Sequence, residues 1–284
     1  MISFRSIVFA LTVSRGLASA TTYTNPLKTV NGSDTFIVYT GEYYYLATTT
    51  WDNIQITRAT TLNGLKTGEN KVVWTDSTAS RCCNVWAPEI HEISGVWYIY
   101  YTAGESTDLG YQRPYVLKGG STPWDSYSYL VATINSQLYF IWSCFSGSLQ
   151  SLCMATMSSP SVIGTAHVIS TPTNSWETVG SPVNEGPQAL VHNGNVFMSF
   201  SASYCWTASY SLGLLTLNSG ASPLASGAWT KTGPVFGSAN GNYGTGHNGF
   251  FVSPDGTQVW NSDGSPNFGT APLLSTVLTG PSGE

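Results

Sequence analysis

Ile90-His91-Glu92-Ile93-Ser94-Gly95-Val96-Trp97-Tyr98-Ile99-Tyr100-Tyr101-Thr102 is the stretch that decides the fold. A short apolar run reaches a glycine turn, and an aromatic, β-branched run answers it and ends in a small hydroxyl residue. The alternation has period two with no helical stripe, so the segment reads as a β-hairpin. Upstream the same phrase appears as Phe36 to Tyr39, the turn at Gly41, and Tyr43-Tyr44-Tyr45-Leu46-Ala47-Thr48. Downstream it returns as Leu130 to Ile134 with Gln137 to Ser143, as Gln188 to Val191 with Val196 to Ser201, and as Phe250-Phe251-Val252 before Asp255-Gly256. The turn positions Gly41, Gly95, Ser136, Gly194 and Gly256 lie 54, 41, 58 and 62 residues apart. Self-similarity on that scale, with about four strands of sequence per unit, predicts an all-β chain folded as a β-propeller. The short second interval predicts a shortened third blade, and the few residues after Gly256 predict an incomplete fifth.

Composition narrows the partners. Of 284 residues, 42% are apolar, 13% aromatic and 9% charged, against roughly 25% charged in an average soluble domain. Intrinsic disorder is excluded. Net charge is −5, and the ten basic residues are scattered, so nucleic acid, which needs clustered Lys and Arg, is not a partner. Ser, Thr, Asn and Gly supply the polarity beside 10 Trp and 16 Tyr, which suits a surface for neutral, hydroxylated ligands. Arg5, the apolar run Ser6 to Val13 and Ala18-Ser19-Ala20 make residues 1–20 read as a secretory signal peptide. The run is too short to span a bilayer and no later one is long enough, so no membrane partner is expected. Residues 21–284 then form the propeller domain, secreted and monomeric, and Asn31-Gly32-Ser33 is a glycosylation sequon that fits this route.

Five cysteines leave one without an internal partner. Cys144 and Cys153 flank Ser146-Gly147-Ser148 as the two strands of a hairpin would, and are predicted to bridge. The adjacent Cys82 and Cys83 could form a vicinal pair, and no cysteine spacing resembles a zinc site.

In a propeller the residues just before each innermost strand converge on the central pocket. These are Ser33-Asp34-Thr35, Trp86-Ala87-Pro88-Glu89, Asn184-Glu185-Gly186-Pro187 and Gly246-His247-Asn248. With only 15 acidic residues in the chain, their recurrence at this position is informative. Two carboxylates flanking a sugar bond supply the general acid and general base of glycoside hydrolysis.

Together these segments, with Phe36 to Tyr39, Ile90-His91, Val183 and Gly244-Thr245, resemble the successive blade motifs of glycoside hydrolase family 43. The resemblance runs in order over nearly all of Tyr23 to Glu284 and is strongest to secreted exo-acting α-L-arabinofuranosidases. It implies a five-bladed propeller and inversion at the anomeric centre. Asp34 would be the general base, Glu185 the general acid, and Trp86 and Asn53 sugar contacts. Glu89 would be structural. His247 matches a position near the axis that often faces water or a calcium ion, and no organic cofactor is implied. The substrate would be plant cell-wall polysaccharide or oligosaccharide, with terminal α-L-arabinofuranose cut from arabinan or arabinoxylan. Alternatives are a β-xylosidase, an endo-arabinanase, or a carbohydrate-binding propeller without effective turnover.

Two departures from the family pattern stand out. The family raises and orients its acid with a third carboxylate from the third blade, but between Asp125 and Glu177 this chain has no Asp or Glu. An Asp-Gly loop expected between Tyr129 and Val131 is missing, and Asp125 is a poor substitute. After Asp255-Gly256-Thr257-Gln258 the chain passes straight to Val259-Trp260, and no Arg follows Arg113 to make the family's sugar contact. These gaps predict an acid with little to hold its proton, and weak catalysis.

Overall fold

The structure, a computed structural model, describes residues 26–129, 138–192, 194–239, 241–255, 259–263 and 273–274. The expected signal peptide, the Leu130–Ile134 run and the turn at Gly256 lie outside them. Within the described residues the chain forms four sheets of four strands and one of three. The first holds β1 (Phe36–Thr40), β2 (Tyr43–Ala47), β3 (Asn53–Ala59) and β4 (Glu69–Thr75). The second holds β5 (Cys83–Ile93), β6 (Val96–Gly104), β7 (Arg113–Lys118) and β8 (Ser128–Tyr129). The third contains β9 (Leu138–Ser146), β10 (Leu149–Ser159), β11 (Val162–Ile163) and β12 (His167–Ser170). The fourth contains β13 (Asn184–His192), β14 (Asn195–Ala202), β15 (Ser211–Leu217) and β16 (Trp229–Phe236), and the last β17 (Asn248–Val252), β18 (Val259–Asp263) and β19 (Leu273–Leu274).

The repeated phrase builds the first hairpin of a sheet. Thr40 pairs with Tyr43 around Gly41 and Glu42, whose φ values are 54° and 68°. Ile93 pairs with Val96 around Ser94 and Gly95 at 54° and 76°. Two positive φ values in a two-residue loop match the twist of the flanking strands, which is why glycine recurs there.

First strands pack side by side: β1 lies against β5 and β17, and β13 against β9 and β17. Between the first two sheets sits a buried cluster with Ile54, Ile56, Ile90, Ile99 and Leu117 at its centre. A second cluster joins Ile37, Tyr44 and Leu46 of the first sheet to Phe251 of the last, so the ring closes on itself. A third joins Leu152 and Met154 to Met198 and Phe200. Each such aliphatic side chain contributes about 1.5–3 kcal/mol by leaving water. This is an all-β propeller.

The third sheet is the irregular one. β10 is central, with β9 on one side and both β11 and β12 on the other. No side chain of β9 is fully buried, whereas four of the five residues of β2 are. The second and third sheets meet through Tyr100, whose hydroxyl donates to the Pro160 carbonyl at 2.8 Å and whose ring lies 5.8 Å from that of Phe140. Cys144 and Cys153 bridge β9 and β10 with their α-carbons 5.8 Å apart, as their spacing predicts. Cys82 and Cys83 form the vicinal pair, and Cys205 is the free thiol.

Candidate active site

At four sheet entrances the chain passes through the left-handed region: Asp34 at φ 55°, Ala87 at 53°, Gly186 at 54° and His247 at 51°. Three of these are not glycine. Such conformations cost energy, persist where the surroundings over-determine them, and cluster at functional sites. Here Asp34 and His247 come into contact, and Gly186 packs against His247.

Asp34 is held from two directions. Its Oδ2 accepts from the Thr49 hydroxyl at 2.5 Å, and its Oδ1 faces His247 Nδ1 at 3.3 Å. Thr49 Oγ1 in turn accepts from the Ala87 backbone N–H at 2.8 Å, which ties the second entrance to the first. The His247 backbone N–H donates to Ser201 Oγ of β14 at 2.6 Å. A Cβ on Gly186 would lie 3.3 Å from His247 Nδ1, so His247 fits between Asp34 and the backbone next to Glu185.

Glu185 accepts at both oxygens, from the Tyr210 hydroxyl to Oε1 at 2.9 Å and from Gln150 Nε2 to Oε2 at 3.2 Å. Burial pushes its carboxyl above the usual range and the Asp34 charge adds to the rise, against the opposing pull of His247, Tyr210 and Gln150. The Glu185 carboxyl is therefore biased toward its proton by burial, where the sequence expectation looked to a third carboxylate. What the third sheet supplies instead is an amide. Gln150 also donates to Ser143 Oγ at 3.0 Å, and Ser143 donates to the Asn184 carbonyl at 3.0 Å. Asp125 does not substitute, since its Oδ2 accepts the Thr122 N–H within its own turn.

Cys205 reports on the same field. Its thiol is pushed up to about 12 by burial and then by the charges of Glu185 and Asp34. Tyr210 is raised by burial and by those same two carboxylates. A Cβ on Gly246 would land on the Tyr210 ring, so this glycine lets the tyrosine reach Glu185.

Beneath Glu185 lies a buried ionic network that sequence reading missed. Asn184 Nδ2 donates to Glu177 Oε1 at 2.9 Å, and Lys231 Nζ reaches that oxygen at 2.7 Å. Although burial opposes its ionisation, Lys231, the Asn174 N–H and Asn184 hold the Glu177 carboxyl below the ordinary range. The available sequence signal was the capping box Asn174-Ser175-Trp176-Glu177. Lys231→Met would leave a buried charge unpaired and is expected to cost about 3–5 kcal/mol in urea unfolding at neutral pH. A loss of only about 0–1 kcal/mol, the range of an exposed pair, would contradict this reading. Because the folded-state pKa is lowered, the stabilisation is complete above the unfolded carboxylate value and fades as pH falls through the folded one.

Trp86 is half-buried, with its ring 5.7 Å from that of the exposed Trp51 at an interplanar angle of 85°. Trp51 was not singled out from sequence; it exchanges backbone hydrogen bonds with Val85 of 3.0 and 2.9 Å, joining the first two entrances. Asn53 begins β3, and its amide donates to Asp52 at 2.7 Å rather than to either carboxylate. Glu89 pairs with His91 at 2.9 Å, a structural contact. Among the described residues no group of three His, Cys, Asp or Glu could hold a metal ion.

The model of the family described as glycosyl hydrolases family 43 matches residues 23–263. An extracellular exo-α-(1->5)-L-arabinofuranosidase of Streptomyces avermitilis is 36% identical over 87% of this chain and 63% of its own length, so the chain spans less than two thirds of that relative. A second enzyme of that description, from Streptomyces chartreusis, is 33% identical over 87% of this chain and 84% of its own. A crystallised α-L-arabinofuranosidase from Lactobacillus brevis superposes with a TM-score of 0.74 at 28% identity, covering 91% of this chain and 89% of that one.

Proposed function

The chain belongs to glycosyl hydrolases family 43, and from that premise we propose that it is a secreted, monomeric, inverting exo-α-L-arabinofuranosidase acting on arabinan or arabinoxylan. Each of the five sheets is then one blade, and Asp34 and Glu185 face each other across the axis at roughly 6.5–9.5 Å, the separation that leaves room for a water. Asp34, fixed by Thr49 and His247, takes the proton of that water as it attacks the anomeric carbon. Glu185 gives its proton to the departing glycosidic oxygen, and Trp86 offers its ring to the sugar.

The observation that carries this reading is Glu185: a half-buried carboxyl, raised above its ordinary range, in the field of a second carboxylate that a threonine and a histidine hold in place. Paired acids with environments this different are how one site runs acid and base chemistry together. The names of the Streptomyces relatives support arabinofuranose as the sugar and the extracellular route. The test is release of arabinose from linear arabinan and from arabinoxylan, run beside calorimetric titration with both polymers. Release from either supports the reading. Binding without release assigns the chain to the carbohydrate-binding alternative.

A further inference from the structure

We propose that a groove on the outer part of the fourth sheet holds the uncut remainder of the polysaccharide whose terminal sugar occupies the pocket at Glu185, a proposal that rests on the functional reading above. The groove has a volume of about 560 Å³, within the roughly 300–1,000 Å³ of ligand sites. It is bounded by the segment around Trp176 and Val179, by Ser209 and Ser211, and by the end of β16 at Val235 and Phe236.

Its position follows from register. Glu185 pairs with Ser201, Ser201 with Leu212, and Leu212 with Phe236. Phe236 therefore ends the row of the sheet that Glu185 begins, three strand spacings or roughly 14 Å outward. Glu185 lies at the start of β13, Ser211 opens β15 and Phe236 closes β16, so the groove opens on the face where the catalytic entrances lie. Tyr210 joins the two places, since its hydroxyl reaches Glu185 while its neighbours Ser209 and Ser211 line the groove.

The lining chemistry selects the occupant. No charged side chain borders the groove; four serines do, beside Trp176, Val179, Pro234, Val235 and Phe236. Val179 is 41% exposed and Val235 52%, and the same rim carries Tyr204 at 44%, whose backbone N–H donates to the Val179 carbonyl at 3.0 Å. An exposed apolar surface on a binding face marks an interaction site. Hydroxyls among aromatic and aliphatic carbon match a neutral sugar chain, with its alternating hydroxyl and C–H faces, and would repel nothing on it.

Val235→Glu and, separately, Val179→Glu place a charge in the groove at exposed positions where folding should survive, which equality of Tm with the parent chain checks. Native electrophoresis through gels containing linear arabinan reads binding without turnover. The parent chain is expected to be retarded, and each variant to lose at least tenfold of that retardation. The ratio of kcat/KM on arabinan to that on 4-nitrophenyl α-L-arabinofuranoside should fall by a similar factor. Equal retardation of parent and variants, or none for the parent, overturns the groove. A parent that is retarded in a Val235-dependent way yet cleaves neither substrate leaves the groove standing and removes the enzymatic reading instead.

Discussion

Glu185→Gln is expected to lower kcat/KM on arabinan by about 10²- to 10⁴-fold, the usual worth of general-acid catalysis. The loss should be far smaller on 4-nitrophenyl α-L-arabinofuranoside, because nitrophenolate departs with little need of a proton. Gln keeps the shape and a hydrogen-bonding carbonyl for Tyr210, so a difference between the two substrates isolates the proton rather than the packing. The pH profile adds a second readout. Burial and the Asp34 charge raise the Glu185 carboxyl, and the acid works only while protonated, so the alkaline limb of kcat/KM should lie above the ordinary carboxylate range and vanish in the variant. Equal losses on both substrates, with the alkaline limb retained, would assign the proton to another group.

Asp34→Asn is expected to cost a comparable factor, about 10²- to 10⁴-fold, but with a different signature. Water must be activated whatever the leaving group, so arabinan and the aryl arabinoside should suffer to a similar extent. The amide can still accept from Thr49 and face His247, so the fold should be kept and Tm should change little. Removing the negative charge also removes one cause of the raised Glu185 pKa, and whatever activity remains should have its alkaline limb at lower pH. An Asp34→Asn chain with parental turnover would remove Asp34 from the reaction.

Much of this was legible in the sequence because a propeller repeats. The Gly41 and Gly95 turns fix hairpin register through their positive φ, so the phrase around them predicts both strands and the face they bury. Position in the repeat then brings Asp34, Glu185, Trp86 and His247 to sheet entrances. The groups that tune the site were not legible, because they reach it from elsewhere in the repeat. Tyr210 comes from the loop after β14 and Gln150 from the third sheet, and neither precedes a first strand. The absent third carboxylate was read correctly from composition. The desolvation that raises the Glu185 carboxyl was not legible, because it depends on packing that no local motif encodes.

Lys231 and Glu177 show the same limit at longer range. They are 54 positions apart in the chain, and their pairing beneath Asn184 exists only once β16 returns beside the segment that leads into β13. A capping box hints at the glutamate's helix-turn role and says nothing of the lysine. The sequence therefore names the candidate pair, while folding supplies the desolvation of Glu185 and the ionic contacts beneath it.

The most direct test of the central claim, that Asp34 and Glu185 work from opposite sides of the sugar, is the anomer first released. Proton NMR should follow an α-L-arabinofuranoside from the moment of enzyme addition, faster than mutarotation. The account predicts β-L-arabinofuranose as the first product, with the α anomer growing in only as the free sugar equilibrates. The α anomer appearing first would mean a covalent intermediate and a carboxylate pair close enough for retention, and would contradict it.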